Sequence, residues 1–371
     1  MNKKVTVRKC TAYNADEIYN IISDIYETSG GPDPANKKVL VKPNILSEND
    51  PSKCVSTHPA VVDAMIRYLQ SRGATVFVGD SPAVHTSKFR GDKCGIHQVC
   101  EKTGATWVNF LEDPTEKKIN GRSIRIASIT DSVDLIISLP KFKNHELMYF
   151  TGAIKNTYGL IPGFTKALQH GIYNDRNSFG RFLIDLTETI TPHYFLMDAI
   201  MGMEGQGPGT KGKPVQVGLL LGSTNPLALD ITASRIAGYN PLLLPTNKIA
   251  LERKKWLGSE AEIEYDGPQL NTIIKHDFQR IPATASRNSA LKFLMGRLSF
   301  LRKLEKRPVF LRESCTACHK CIKICPAEAI KQSPSDSRHI VLTDSKCIRC
   351  FCCAEACQDD AIDVRVKLFG V

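Results

Sequence analysis

The order of apolar and polar stretches between residues 38 and 266 predicts alternating strands and helices. Short apolar runs such as Val39–Lys42 and Thr75–Gly79 have the length and composition of buried strands. Between these two runs, Thr57–Gln70 has helical periodicity and carries Pro59 near its start, where proline is tolerated. This alternation indicates βαβ units, so the sequence predicts an α/β fold built on a mostly parallel layered sheet.

The same patterns place further elements along the chain. Met1–Lys9 alternates charged residues with valine and is interpreted as a first strand, and Lys118–Ile126 contains a turn dipeptide that predicts a hairpin. The remaining predicted strands are Asp134–Leu139, Tyr194–Met197 and Val215–Leu221, and the remaining predicted helices are Ile96–Lys102, Ser178–Ile190, Leu227–Ala237 and Leu243–Leu257.

Three parts are predicted within the 371 residues, which exceed the size of one typical domain. Residues 1–267 form the α/β domain, 268–310 a helical connector, and 311–371 a small α+β domain. Within the connector, residues 285–307 are basic and carry leucine and phenylalanine at spacings of three and four, the pattern of an amphipathic helix. The favoured interpretation is packing against one of the domains, and contact with a membrane surface is the alternative.

Composition adds an expected location and a redox context. No apolar run reaches the roughly eighteen residues of a membrane span, and the N-terminus has no apolar signal region, so a cytoplasmic protein is expected. Thirteen cysteines, an odd number, occur in a chain without a secretion signal, which favours reduced thiols over a disulfide framework.

Most cysteines belong to one repeated motif near the C-terminus. The spacing C-x2-C-x2-C-x3-C places three thiolates on three corners of one [4Fe-4S] cubane and directs the fourth to a neighbouring cluster. A zinc site needs only four ligands in two pairs, which leaves a double motif unexplained. The two copies are Cys315, Cys318, Cys321 and Cys325, and then Cys347, Cys350, Cys353 and Cys357.

The segment around residues 311–367 resembles the bacterial two-cluster ferredoxin, and two [4Fe-4S] clusters are expected. Gln358 stands where the first copy has Pro326, which is expected to change the local loop more than ligation. Cys352, a ninth cysteine, is interpreted as a spectator, with a replacement ligand as the alternative. The ligands of one cluster are assigned as Cys315, Cys318, Cys321 and Cys357, and those of the other as Cys347, Cys350, Cys353 and Cys325.

The expected clusters also lower the net charge of the protein. The formal charge is +11, but a four-thiolate oxidised cluster carries about −2, so two of them reduce the total to about +7. The basic residues are mostly dispersed and accompany no nucleic-acid-binding motif, so nucleic acid is not expected as a partner.

Polar residues follow several predicted strands at the point where each strand ends. Ligands of open parallel sheets bind beyond the carboxyl ends of the strands, and several lysines converging there favour an anionic ligand such as a phosphate or carboxylate. The alternative is that these lysines are solvated loop residues. The candidate residues are Lys42, Asn44, Asp80, Ser81, Lys141, Lys143, His145, Lys155 and Asn156.

A glycine-rich loop is predicted after the strand Tyr194–Met197. Asp198 and Glu204 lie in this region and, with His145, are candidates for acid–base chemistry or for binding a hard metal ion. Each is individually more often a cap or turn residue. Gly207–Pro214 approaches a P-loop, but Pro214 replaces the magnesium-binding hydroxyl residue and a strand follows, so the match is interpreted as a coincidence.

These blocks together resemble a known family. They are Val41–Asn44, Gly79–Pro82, Leu139–His145, Thr151–Asn156, Gly159–Gly163, and Asp198 with Gly202–Gly205. The chain is similar over roughly residues 38–240 to the family catalogued as domain of unknown function 362, whose members often carry a two-cluster ferredoxin segment. The resemblance implies the architecture and leaves the substrate open.

The sequence supports two candidate functions for this protein. The first is an iron–sulfur oxidoreductase, or a subunit of one, that relays electrons through two [4Fe-4S] clusters to an anionic substrate or cofactor held by the α/β domain. The second is a non-catalytic ferredoxin-like carrier or adaptor that docks a partner redox enzyme. A redox partner protein is expected in both cases, and the reaction and the cluster potentials stay open.

Overall fold

The structure is a computed structural model that describes residues 2–82, 88–163, 165–282 and 306–366. Its strands are β1 (Lys4–Lys9), β2 (Lys38–Pro43), β3 (Thr75–Val78), β4 (Thr106–Trp107), β5 (Thr115–Ile119), β6 (Arg122–Ile126), β7 (Leu135–Leu139), β8 (Lys141–His145), β9 (Tyr149–Thr151), β10 (Tyr194–Gly205), β11 (Gly212–Ser223), β12 (Glu264–Asp266), β13 (Arg307–Phe310), β14 (Ile330–Ser333), β15 (Asp336–Leu342) and β16 (Ile362–Arg365). Its α-helices are α1 (Ala15–Thr28), α2 (Pro59–Ser71), α3 (Ile96–Thr103), α4 (Ala153–Asn156), α5 (Thr165–Ile172), α6 (Arg176–Ile190), α7 (Pro226–Ile236), α8 (Pro245–Glu252), α9 (Leu270–Ile273), α10 (Lys320–Lys323) and α11 (Cys352–Glu355).

Ten strands form the central sheet of the α/β domain, in the order β12-β1-β11-β10-β7-β2-β3-β4, with β8 and β9 attached beside β10. Strand β2 runs parallel to β3 and β7, and β10 runs parallel to β7 and β8. Within the described residues, β11 and β9 are the strands of this sheet that run antiparallel to their neighbours. The prediction of a mostly parallel α/β sheet is therefore confirmed.

Apolar side chains cover both faces of this sheet. Val39 and Val41 pack on the side of α1, whereas Leu40 packs in the apolar cluster that includes α6 and α7. Asn14 caps the N-terminus of α1, because its side chain accepts hydrogen bonds from two backbone N–H groups of the first turn. A strand buried on both faces has a continuous apolar run, which is why these strands are readable in the sequence.

Several elements differ from the sequence-based prediction. Strand β10 extends past Met197 to Gly205 because its ladder with β11 continues to the pair Gly205–Gly212, so much of the predicted glycine-rich loop is strand. Lys141–His145 is a fully buried strand instead of an exposed loop. The helix predicted at Leu243–Leu257 covers only Pro245–Glu252, and positive φ angles at Lys254 and Trp256 end the helical run.

Two small antiparallel pairs build the C-terminal domain. Strand β13 pairs with β16, and β14 pairs with β15, which confirms a small domain with short strands. The predicted connector helix at 285–307 lies almost wholly outside the described residues, and its last described residue, Arg307, begins β13. The division at 267 and 310 stays a prediction. Within the described part of the chain, no helix is long and apolar enough to cross a membrane.

Candidate functional site

The carboxyl edge of the sheet holds a buried ion pair between two predicted site residues. Lys42 Nζ lies 2.7 Å from Asp80 Oδ1, and the two side chains are 1% and 2% exposed. Burial lowers the pKa of Lys42, while the charge of Asp80 opposes that shift. The other oxygen of Asp80 accepts the backbone N–H of Ile45. The Lys42 ammonium is thus engaged within the protein.

Asn156 joins this pair to the start of the adjoining loop. Its side-chain oxygen accepts from Lys42 Nζ at 3.3 Å and from Asn44 Nδ2 at 3.1 Å, and its amide nitrogen donates to Ser138 Oγ at 2.8 Å. Helix α4, which carries Asn156, is anchored because Asp230 accepts the N–H groups at its first turn. The amide orientations in this network are therefore fixed.

A second polar cluster forms farther along the same edge. Lys141 Nζ lies 2.7 Å from Asp198 Oδ2, and Tyr13 Oη donates to Asp198 Oδ1 at 3.0 Å. Lys143 is buried and donates to the Val55 carbonyl oxygen at 2.6 Å, and burial lowers its pKa to about 7. Three of the four predicted lysines, Lys42, Lys141 and Lys143, thus have internal partners at this edge.

A cleft of about 550 Å³ separates the carboxyl edge from the C-terminal domain. Lys155 of α4 reaches into it, and its ammonium lies 5.7 Å from the ring centre of Tyr158. Among the residues described, no carboxylate or carbonyl oxygen forms an ion pair or hydrogen bond with Lys155. The cleft is lined by Asn44, Ile45, Leu46, Asp80, Ser81, Lys155, Asn156, Tyr158, Gly159, Lys166, Ala167, His170, Ile324, Cys352 and Glu355.

Helix α5 adds two residues that the sequence analysis did not identify. Lys166 donates to the carbonyl oxygens of Ser81 and of Pro82, the latter at 2.8 Å, and burial lowers its pKa to about 7. His170 is only 4% exposed, and burial lowers its pKa to about 3, so its ring is neutral. Its Nδ1 atom has no hydrogen-bond partner within the described ranges. The signal that was available, a lysine and a histidine one helical turn apart, is too common to be specific.

The opposite wall of the cleft comes from α11 in the C-terminal domain. Glu355 Oε1 lies 3.2 Å from His145 Nε2 of the α/β domain. Nδ1 of His145 accepts the N–H groups of Leu147 and Met148, so its proton resides on Nε2, and burial lowers its pKa to about 4. Burial alone would raise the pKa of Glu355, but His145 and Lys155 lower it to about 2. At neutral pH the contact joins a neutral imidazole and a carboxylate.

Further polar contacts hold the two domains together. Lys306 Nζ lies 3.0 Å from Glu146, and Lys211 Nζ lies 2.8 Å from Asp363. Ala167 of α5 is buried in the apolar cluster of the C-terminal domain. The cleft therefore has walls from both domains.

Asp198, Glu204 and His145 do not form one site. Asp198 pairs with Lys141, Glu204 accepts the backbone N–H of Gln279 at 2.9 Å, and His145 contacts Glu355. Across the described ranges, no group of three or more His, Cys, Asp or Glu side chains is arranged to hold a single metal ion. The acid–base or metal-ligand trio suggested by the sequence is not assembled here.

The eight motif cysteines surround two separate cavities. One, of about 390 Å³, is lined by Cys315, Cys318, Cys321 and Cys357, and the other, of about 320 Å³, by Cys325, Cys347, Cys350 and Cys353. Each cavity takes three thiols from one motif and one from the other. Thiols spread around a space, rather than converging on one point, fit the corners of a cubane and not a zinc ion.

The cysteine-lined cavities differ in exposure, and a ninth cysteine lies beside one of them. Cys318 is exposed, whereas Cys347 and Cys353 are buried. Cys352 is buried, and the neighbouring Cys350 thiol together with burial raises the pKa of Cys352. Cys352 lines both the cavity of Cys350 and the cleft.

Comparison with known families identifies both parts of the chain. Residues 39–235 match the model described as domain of unknown function (DUF362), and residues 307–358 match a 4Fe-4S dicluster domain. The chain belongs to the DUF362 family. The resemblance to this family and to the dicluster ferredoxins is thereby confirmed, and this DUF362 protein is an iron–sulfur protein.

Individual relatives extend the comparison. A thylakoid-associated protein of Synechocystis sp. is 31% identical over 251 residues, which cover 66% of this chain and 78% of that protein. The lactate racemase apoprotein of Thermoanaerobacterium thermosaccharolyticum superposes with a TM-score of 0.43 at 11% identity, over 62% of this DUF362 chain and 56% of the racemase. A Thermotoga maritima protein superposes with a TM-score of 0.36 at 17% identity, over 56% of this chain and 55% of that protein. The chain thus spans little more than half of each solved structure.

Proposed function

We propose that this DUF362 protein is an iron–sulfur oxidoreductase, or a subunit of one, that binds a small anionic substrate or cofactor in the cleft. One observation carries the proposal: the cleft places the unpaired ammonium of Lys155 opposite α11, the helix that carries a thiol of a cysteine-lined cavity. An anion bound there would lie beside a redox centre.

The proposal includes two [4Fe-4S] clusters, one in each cavity. Cys315, Cys318, Cys321 and Cys357 would hold the first, and Cys325, Cys347, Cys350 and Cys353 the second. When bound, such clusters exchange single electrons. Cys318 is exposed and Cys347 is buried, which favours contact of a redox partner protein with the first centre and of the ligand with the second.

The side chains of the cleft have separable roles in this proposal. Lys155 supplies an amine that makes no ion pair or hydrogen bond within the described residues. Burial lowers its pKa and the charge of Glu355 opposes that shift, so a bound anion would favour its cationic form. The Lys42–Asp80 pair and Asn156 hold the edge rigid beneath it. Gly159 leaves the necessary space, since an added Cβ would come within 2.1 Å of Asp80.

Lys166 is the candidate for proton movement. Because burial lowers its pKa to about 7, both of its protonation states are populated near neutral pH. A protonated Lys166 attracts the anion and can give a proton to a ligand that accepts electrons. Glu355, with a pKa of about 2, remains a carboxylate and an acceptor.

Ligand titrations of the full chain, reconstituted with iron and sulfide without oxygen, test this function. We expect inorganic phosphate or acetate to bind at least tenfold more weakly to Lys155→Ala and to Lys166→Ala, with iron content unchanged. Lys213→Ala, which removes an exposed lysine of β11, is the matched control. Binding that is equal in all four proteins, or absent from the parent, would contradict an anion site in the cleft. Mass spectrometry of small molecules that co-purify would name the natural ligand.

The exposed first cavity also favours the second candidate function, a non-catalytic carrier or adaptor. In that case a stoichiometric redox partner would be captured by the reconstituted chain while no small anion binds. Substitution of cleft lysines would then leave electron transfer to the partner unchanged. Measuring both partner reduction and phosphate binding in Lys155→Ala separates the two functions.

We propose a cytoplasmic location, because cysteines that ligate iron must stay reduced and the cytoplasm keeps thiols reduced. The thylakoid association of the Synechocystis relative supports a competing hypothesis, peripheral attachment to a membrane. Fractionation of cells at low and high salt distinguishes the two, because a peripheral protein would sediment with membranes only at low salt.

A further inference from the structure

Two polar atoms of residues that line the cleft are buried and have no hydrogen-bond partner within the described ranges. One is Nδ1 of His170, a side chain that is only 4% exposed, and the other is the side-chain oxygen of Asn44. Both residues line the same cleft as Lys155. Buried polar atoms of folded proteins are nearly always hydrogen-bonded, so two orphaned atoms in one cleft require an explanation.

The network beneath the cleft fixes the orientation of the Asn44 amide. Asn156 Oδ1 accepts from Lys42 Nζ at 3.3 Å, while Asn156 Nδ2 donates to Ser138 Oγ at 2.8 Å. Because an ammonium only donates, Asn156 must present its oxygen on this side, and the Asn44 NH2 group donates to the same oxygen at 3.1 Å. The orphaned atom of Asn44 is consequently its oxygen, which only accepts hydrogen bonds.

The surroundings of His170 leave its Nδ1 atom in need of a polar partner. The ring packs against the rings of Tyr158 and Phe179, with ring centres 5.6 and 4.4 Å away. The Tyr158 hydroxyl already donates to the Lys166 carbonyl oxygen at 2.6 Å. A neutral imidazole has one nitrogen that donates and one that accepts, so Nδ1 needs a partner in either tautomer. A ligand in the cleft would provide it.

These groups set two requirements on a ligand of the cleft. Lys155 forms no ion pair or hydrogen bond in the described part of the chain, so it favours an anionic oxygen. Asn44 Oδ1 instead requires a hydrogen from the ligand, and an anion with only acceptor atoms would leave it unpaired. A site built to hydrogen-bond a ligand O–H discriminates strongly against an analogue that lacks this group.

We propose that the cleft selects an anion that carries its own hydrogen-bond donor, such as a phosphate group that retains an O–H, and that Asn44 determines this specificity. Lys155 attracts the charge, Asn44 Oδ1 accepts the ligand hydrogen, and His170 Nδ1 contacts a further polar atom of the ligand. An anion must bind in the cleft for this to hold, so the specificity rests on the proposed function and adds the class of anion to it.

Binding of matched anions to the reconstituted full chain, measured by calorimetry without oxygen, tests this specificity. Near neutral pH phosphate keeps an O–H and sulfate has none, and bicarbonate differs in the same way from nitrate, which has a similar shape and the same charge. We expect the donor-bearing anion of at least one pair to bind about tenfold more tightly, or better. A preference within the tetrahedral pair indicates a phosphate-type ligand, and one within the planar pair indicates a carboxylate-type ligand.

Replacement of Asn44 separates its role from that of the charge. Asn44→Leu keeps the size of the side chain and removes the acceptor, so the preferred anion should bind about tenfold more weakly while its donor-free counterpart binds as before. Asn177→Leu, at an exposed asparagine of α6, is the matched control and should keep the preference of the parent. The comparison of anions in the parent needs no substitution, so it decides the matter even where Asn44→Leu does not fold.

Three results would overturn the proposal, and they are distinguishable. Equal affinities within both pairs in the parent would overturn the specificity alone, because an anion site would still exist. An unchanged preference in folded Asn44→Leu would remove Asn44 from the recognition of the ligand. Absence of binding for all four anions would overturn the proposed function together with the specificity.

Discussion

The two domains of this protein hold themselves together in different ways. The α/β domain has apolar clusters on both faces of a ten-stranded sheet, and two buried ion pairs lie at the carboxyl edge of that sheet. The C-terminal domain has one apolar cluster of eight buried residues, two of which are the cysteines Cys352 and Cys353, while Ala167 belongs to the other domain. The single hydrophobic core of a domain this small contributes only a few kcal/mol of stability, roughly 3–5 at most.

This difference indicates where each domain obtains its stability. The α/β domain has enough apolar burial to tolerate charges in its interior, so its polar edge can be shaped for a ligand. We expect the C-terminal domain to depend on the clusters bound in its two cavities, because metal-binding free energy becomes folding free energy in such domains. Four predictions test this contrast, in order of decreasing effect.

Removal of iron should produce the largest effect. Without clusters we expect the C-terminal domain to lose its amide protection from hydrogen exchange across β13–β16 completely, while β2 and β7 in the central sheet keep theirs. Mass spectrometry of hydrogen exchange in reconstituted and iron-free full-length protein measures this directly. Protection that persists in β14 and β15 after iron removal would show that the small core suffices.

Breaking the buried ion pair of the α/β domain should come next. Lys42→Met leaves the Asp80 carboxylate buried without its cation, and we expect the free energy of unfolding to fall by about 3–5 kcal/mol. The double variant with Asp80→Leu should recover much of this loss, because no charge is then left unpaired. Urea unfolding monitored for the α/β domain provides the measurement.

A surface pair provides the control for that experiment. Lys248 and Glu252 of α8 lie 3.8 Å apart and are 59% and 61% exposed. Lys248→Ala should change the free energy of unfolding by less than about 1 kcal/mol. Equal losses of unfolding free energy for Lys248→Ala and Lys42→Met would contradict the idea that the buried pair matters more to stability than a surface pair.

A single methyl group at Gly159 should have an intermediate effect. The Cβ of Gly159→Ala would meet Asp80 Oδ1 at 2.1 Å and Lys42 Nζ at 2.5 Å, so the buried pair must move. We expect a loss of about 1–3 kcal/mol from overpacking, together with weaker phosphate binding. Gly104→Ala is a poor control because its φ is +73°, but Gly171→Ala, with only an ordinary contact to Pro326, should be nearly neutral.

The smallest expected effect is the pH dependence of anion affinity. The pKa of Lys166 is lowered to about 7 by burial and by the charges of Lys42 and Lys155, against the opposing charges of Asp80 and Glu355. Lys166 is cationic below this value and neutral above it, so phosphate or acetate affinity should fall as pH rises through 7, approaching tenfold per unit above it if only the cation binds.

Lys166→Arg separates this titration from other causes, because arginine stays cationic throughout the range. We expect its anion affinity to be nearly independent of pH between 6 and 8, as measured by calorimetry after correction for titration of the probe. A pH dependence that is the same in the parent and in Lys166→Arg would assign it to another group.

The sequence predicted those features whose residues are close along the chain. The cysteine motifs repeat locally, and the strands β2, β3 and β7 have apolar runs that follow from burial on both faces. Strand-end residues such as Lys42 and Asp80 were predicted as neighbours because parallel strands share an edge. Their mutual pairing does not follow from the sequence, because spacing does not say whether a lysine contacts a ligand or an aspartate.

The far wall of the cleft could not be predicted in this way. His145 and Glu355 lie more than two hundred positions apart, and no periodicity relates them. Lys166 lies in the site because α5, which carries it, packs against the C-terminal domain. The sequence does contain one usable signal. The two motifs differ at two equivalent positions that ligate no cluster: Lys320 corresponds to Cys352, and Lys323 to Glu355.

We expect the exchange of one thiol between the cysteine motifs to determine how the C-terminal domain is loaded with iron. The turn between β14 and β15 separates the two motifs in sequence, yet each cavity spans that turn. A proteolytic nick there would leave neither fragment with a complete set of four thiols. Iron should consequently enter as one cooperative event, with chains carrying either a full complement or none, and half-loaded chains should be scarce during assembly.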